Sequence, residues 1–122
     1  MILNLPPDVI SMRCLMKVSI PVEKGNATIS DGSLPKTVDS ILGELNPEAA
    51  YFADDNGKRT GFIVFDLKDT SQIPAVAEPW FLGFNAHIEL HPVMNLEDLK
   101  KATPGIERAV KNYHRTTQKA AA

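Results

Sequence analysis

Three residues in the last third of the chain have the types and spacing to do chemistry together. They are His87, Glu89 and His91, in the alternation His87-Ile88-Glu89-Leu90-His91. Successive side chains of a strand point to opposite faces, so these three share one face at steps of about 7 Å. Two imidazoles and a carboxylate suit a zinc or non-haem iron ion. They equally suit general acid–base work, because histidine titrates near neutrality. The plain alternative is a polar strand face. The steps are wide for one ion and no further ligand is visible. His87, Glu89 and His91 are therefore carried forward as acid–base candidates, and no metal is expected.

For that face to matter, other elements must bring groups to it. Residues 17–22 alternate Lys-Val-Ser-Ile-Pro-Val and read as a half-buried strand, with Lys17 and Ser19 on the polar side. A polar loop with Gly25 and Gly32 follows, with room for an early helical turn. Ser33 then reads as an N-cap, and Leu34, Val38, Ile41, Leu42 and Leu45 recur at helical spacing until Asn46-Pro47. Asn56-Gly57 supplies the positive φ angles of a tight hairpin, flanked by Tyr51 and Phe52 on one side and Phe62 to Phe65 on the other. Two pleat parities fit: Tyr51 and Ala53 with Phe62 and Val64 on one face, or the alternate set.

Asp69-Thr70-Ser71 opens a second helix carrying Ile73, Val76, Ala77, Trp80, Phe81 and Phe84 at core spacing. Pro79 predicts a kink or a restart within it. Residues 85–93 form the last strand. Asn95 caps a short helix, Thr103-Pro104 restarts it, and Ile106, Val110 and Tyr113 form its stripe. The order is β-α-β-β-α-β plus a C-terminal helix. That order predicts an α+β, ferredoxin-like fold: a four-stranded antiparallel sheet with helices on one face. The expected domain covers residues 14–115, with 1–13 an extension and 116–122 a frayed tail. Met12 and Met16 both read as alternative starts.

Composition narrows the function classes. The chain has 122 residues, 43% of them hydrophobic and 23% charged, as in one ordinary globular domain. A formal net charge of −2 with scattered lysines and arginines offers no cationic patch for nucleic acid or for a membrane surface. Neither a bilayer-spanning stretch of ~20 apolar residues nor a convincing signal peptide is present. The lone Cys14 forbids an intrachain disulfide and an iron–sulfur cluster, and it has no activating partner beyond Arg13. Cytoplasmic location and the absence of a cofactor are the expectations. Asn26-Ala27-Thr28 matches a glycosylation sequon by chance.

Four segments carry a family likeness: Pro47-Glu48-Ala49-Ala50-Tyr51-Phe52, Glu78-Pro79-Trp80-Phe81, Phe84-Asn85-Ala86-His87, and His91-Pro92-Val93-Met94 followed by Glu97-Asp98-Leu99. Through them the chain resembles a group of small uncharacterised bacterial proteins of the dimeric α/β-barrel superfamily. The resemblance covers residues 16–113. It implies a homodimer packed through the sheets and carries no activity, since fold alone does not specify function.

Helices on one face leave the other uncovered, and a second copy packed against it would enclose a space of mixed lining. Lys17, Ser19, Tyr51 and Phe62 are the expected ligand-binding residues there. Pairing of the first and last strands would also set Lys17 against Glu89. The leading reading is a homodimer that binds a small molecule on the open sheet face. The alternatives are a cofactor-independent enzyme, monooxygenase- or isomerase-like, using His87, Glu89 or His91, and an interaction module without a site.

Overall fold

The computed structural model describes residues 11–114. The chain forms β1 (Met12–Ile20), α1 (Val22–Ser30), α2 (Ser33–Leu45), β2 (Ala49–Asp55), β3 (Lys58–Leu67), α3 (Ile73–Phe84), β4 (His87–Pro92), α4 (Leu96–Lys101) and α5 (Thr103–Tyr113). All strand pairings are antiparallel, in the order β2-β3-β1-β4. This is the ferredoxin-like α+β fold with an added C-terminal helical segment.

β1 is central and pairs on both sides, so its helix-facing residues Cys14, Met16, Val18 and Ile20 are buried. Ile63, Phe65 and Leu67 of β3 and Trp80 and Phe84 of α3 complete the core. Trp80 and Phe84 stack one helical turn apart, with ring centroids 5.9 Å from each other. Phe81, expected beside them, is exposed instead.

The hairpin follows its turn chemistry. Asn56 and Gly57 have φ of 53° and 75°, as a two-residue turn between twisted strands requires. Asn95 and Asp98 cap α4 reciprocally. Asp69 does the same, with Gln72, for a 3-10 turn at Thr70–Gln72 that leads into α3.

Several expectations are corrected. β1 begins at Met12 and ends at Ile20, so Met12 and Arg13 lie within the strand and Val22 does not. The loop expected around Gly25 is the helix α1, entered through Pro21. Thr28 of the sequon is buried in that helix, its hydroxyl bonded to the Lys24 and Gly25 carbonyls. Ser33 is the first residue of α2 rather than its cap: Gly32 occupies the cap, and Asp31 accepts the Ser33 amide at 2.8 Å. α3 runs through Pro79 as one helix without a restart. The buried residues Ala77, Trp80 and Phe84 anchor it on both sides of the proline. The stripe Ile106, Val110 and Tyr113 of α5 faces outward. Among the described residues no helix is long and apolar enough to cross a membrane.

Candidate functional site

The register resolves the pleat parity. Tyr51 lies opposite Phe62, Phe62 opposite Lys17 and Lys17 opposite Glu89, so these four form one rung across the whole sheet. The next rung reads Ala53, Thr60, Ser19 and His87. The rung on the other side reads Ala49, Val64, Leu15 and His91. All these side chains stand on the face without helices, because the alternate set (Ala50, Ile63, Met16 and Leu90) belongs to the core. The parity is thus Tyr51 and Ala53 with Phe62 and Val64. All seven residues singled out from sequence fall on three adjacent rungs of one face.

Two ionic groups organise that face. Glu89 sits between its strand neighbours, with Oε1 3.3 Å from His91 Nε2 and Oε2 3.5 Å from His87 Nε2. The hydrogen bond from His91 holds the Glu89 carboxyl below its ordinary value, assisted by the charge of Lys17. Lys17 itself forms its ion pair with Asp55, not with Glu89. The hydrogen bond to Asp55 raises the lysine above its ordinary value, and Glu89 adds a smaller charge effect. β3 lies between β1 and β2, so the Lys17–Asp55 pair crosses over that strand. Asp55, beside the hairpin turn, is thereby tied to the centre of the sheet face. Among the described residues no group of three or more histidines, cysteines or carboxylates is placed to hold a metal ion.

A pH dependence follows from Glu89. Its folded carboxyl titrates below the unfolded value of about 4.5. Its stabilising contribution is fully present above that value and is lost as pH falls through the folded one. The groups facing it are His87, His91 and Lys17. Asp31 is lowered too, through hydrogen bonds from the Ser33 side chain and then its amide, and Asp69 through those from the Ser71 amide and then its side chain; both titrate in the same acid window. Glu89→Gln is expected to flatten part of the acid limb in a plot of melting temperature against pH, leaving the Asp31 and Asp69 share. An unchanged limb between about pH 5 and 3 would show that the His91 contact contributes nothing.

On the opposite side of the sheet lies a feature the sequence reading missed. A cavity of about 830 Å³ opens between the helix-facing side of β1–β3 and helices α1 and α2. Val18, Ile20, Leu34, Val38, Leu42 and Phe52 give it apolar walls, and Trp80 lies at its floor. Phe52 can lie over β3 because its neighbour there is Gly61, where a Cβ would come 3.2 Å from the ring. Trp80 is 1% exposed, and among the described residues its indole Nε1 has no hydrogen-bond partner. That is an uncommon state for a buried donor. The mouth carries Arg59, Lys58, Asp54 and Asp39. Arg59 is drawn onto α1, where its Nη2 donates to Asn26 Oδ1 at 3.2 Å. The sequence held one sign of this cavity, a glycine inside an otherwise aromatic and β-branched strand.

Cys14 is buried on β1, and burial pushes its thiol above the ordinary value, with the charge of Asp66 adding to this. An inert thiol is the consequence. Arg13, next to it, faces the open side and pairs with Glu48 at 3.1 Å and Asp98 at 3.8 Å. It thereby ties the start of β2 to α4.

No curated protein matches the chain. Among solved structures, an uncharacterized protein from Thermotoga maritima is similar, with 9% identity and a TM-score of 0.48 over 69% of this chain and 99% of that one. Residues 48–106, from the start of β2 into α5, match a family model described as a domain of unknown function (DUF3303).

Proposed function

We propose that the protein is a small-molecule-binding domain whose ligand enters the cavity between the sheet and α2. The carrying observation is the cavity itself: about 830 Å³ with apolar walls and a few polar groups at the mouth. This is the form of ligand sites in general. Trp80, buried beneath those walls, lines the same space. Trp80 is the single tryptophan, so its fluorescence reports on the cavity directly. Titration with decan-1-ol is expected to change that fluorescence saturably. Val38→Phe, which places a ring in the space, is expected to weaken the effect at least about tenfold, a loss of 1.4 kcal/mol. A linear response, equal in parent and variant, would sink the reading.

The open face favours a second role, a seat for another copy of the chain. Tyr51 is 69% exposed next to Phe62 on a face no helix covers, and exposed aromatic surface of this kind marks an interaction site. Two such sheets packed together would enclose Glu89 with its two histidines, where acid–base chemistry would be sheltered from water. Sedimentation at micromolar concentration is expected to give twice the chain mass. Tyr51→Asp is expected to raise the dissociation constant at least about tenfold, since burying an unpaired carboxylate costs more than 1.4 kcal/mol. A parent that sediments as a monomer removes both the dimer and the enclosed acid–base site.

A further inference from the structure

We propose that the cavity's ligand is an apolar monocarboxylate whose head group is bound by Arg59. This rests on the cavity reading above and names the chemistry of the molecule that fills it.

The arginine is held ready. It stands on the helix-facing side of β3, two residues from Gly61, and leans across the mouth onto α1. There its guanidinium lies against the backbone of Gly25, so closely that a Cβ on that glycine would come 2.5 Å from Nη1. Asn26, the next residue of α1, accepts from Nη2. A glycine inside a helix costs stability relative to alanine, and at Gly25 it clears the space the guanidinium occupies. Two consecutive residues of α1 thus orient the group.

Among the described residues the arginine is also without a counter-ion. A guanidinium has five N–H donors, and the hydrogen bond to Asn26 takes one. Among the described residues no carboxylate comes within 4 Å of it. This holds although Asp54 is its cross-strand partner and Asp39 lines the same mouth. A planar donor set, positioned and without a counter-ion at the entrance to an apolar space, is suited to a bidentate carboxylate. The two aspartates oppose a second negative charge nearby, so the geometry selects a monoanion over a dianion. The apolar body then reaches inward along Val38 and Leu42 towards Trp80.

The test uses the full chain and three probes of equal chain length, decanoate, decan-1-ol and decanedioate, each followed through Trp80 fluorescence. Decanoate is expected to bind about tenfold tighter than the alcohol, as hydrogen bonds to a charged group predict. Decanedioate is expected to bind more weakly than decanoate, because its far carboxylate would have to enter the apolar space. Arg59→Gln is expected to bring decanoate and decan-1-ol to equal affinity. Gly25→Ala should do the same with the arginine still present, by displacing the guanidinium, and should melt no lower than the parent. It therefore serves if the Arg59 variant does not fold. Saturable binding of the alcohol with no preference for decanoate, or a preference that survives both substitutions, overturns the carboxylate proposal and leaves the cavity standing. No saturable binding of any probe overturns the cavity reading and this proposal together.

Discussion

A chain shortened to begin at Met16 is expected not to fold. Met16 is a tempting start in the sequence, since the alternation it leads into is a good strand. In the fold it is the fifth of β1's nine residues and is fully buried. Removing residues 12–15 strips the partners from Leu67, Asp66, Phe65 and Val64 on one side and from Pro92 and His91 on the other. It removes buried Cys14, and with Arg13 the ties to Glu48 and Asp98. It would also set a charged α-amino group against the core, where an unpaired ion costs several kcal/mol. Each backbone hydrogen bond adds about 0.5–1.5 kcal/mol net. Together these losses match the ~5–15 kcal/mol that holds a typical domain. Circular dichroism on the shortened chain is expected to show no cooperative melting. A sigmoidal transition near that of the full chain would refute the central place given to residues 12–15.

The second large effect is at Trp80, and its value lies in a contrast. Trp80→Ala removes one of the largest buried side chains, together with its stacking on Phe84, and is expected to cost ~3–5 kcal/mol. Trp80→Phe keeps the aromatic packing and deletes the indole N–H, a donor buried without a partner. Leaving such a group unsatisfied costs about 1–3 kcal/mol, so its removal offsets much of the lost volume. The phenylalanine variant is expected within ~1.5 kcal/mol of the parent, since the lost volume is smaller than in alanine and the removed donor offsets part of it. Urea unfolding reads both values as midpoint shifts at constant slope. If phenylalanine destabilises as much as alanine, the indole N–H is not an uncompensated donor.

Much of the fold is readable from local chemistry. The Asn56-Gly57 turn announces the hairpin, because few other pairs adopt two successive positive φ angles at low cost. The stripe from Leu34 to Leu45 announces α2, and Asn95 with Asp98 announces α4. α1 was legible only as room for a helical turn, because its glycine and scattered polar residues resemble a loop; its full length is set by packing, with Gly25 and Thr28 buried against the rest of the domain. Residues 12–15 escaped notice because Arg13 and Leu15 alternate on the open face, which hides the buried partners Cys14 and Met16 in a mixed string.

The candidate sites divide along the same line. That His87, Glu89 and His91 share a face, and that Lys17 and Ser19 share one, is a property of strand geometry alone and was legible residue by residue. That Tyr51, Phe62, Lys17 and Glu89 make a single rung is a matter of register between four strands, which no one strand encodes. Lys17 reaches Asp55 over β3 because β3 intervenes between β1 and β2, a consequence of strand order. The cavity lies further still from the sequence. It exists because α2 stands off the sheet edge above Phe52 and Gly61, with Trp80 beneath and Arg59 drawn to α1. Periodicity, turn residues and caps act over a few neighbours, so the sequence by itself determined the elements, their order and the polar stripe of the last strand. Register and helix seating are settled by contacts between residues far apart in the chain, so only the tertiary structure decided which groups meet and where the space lies.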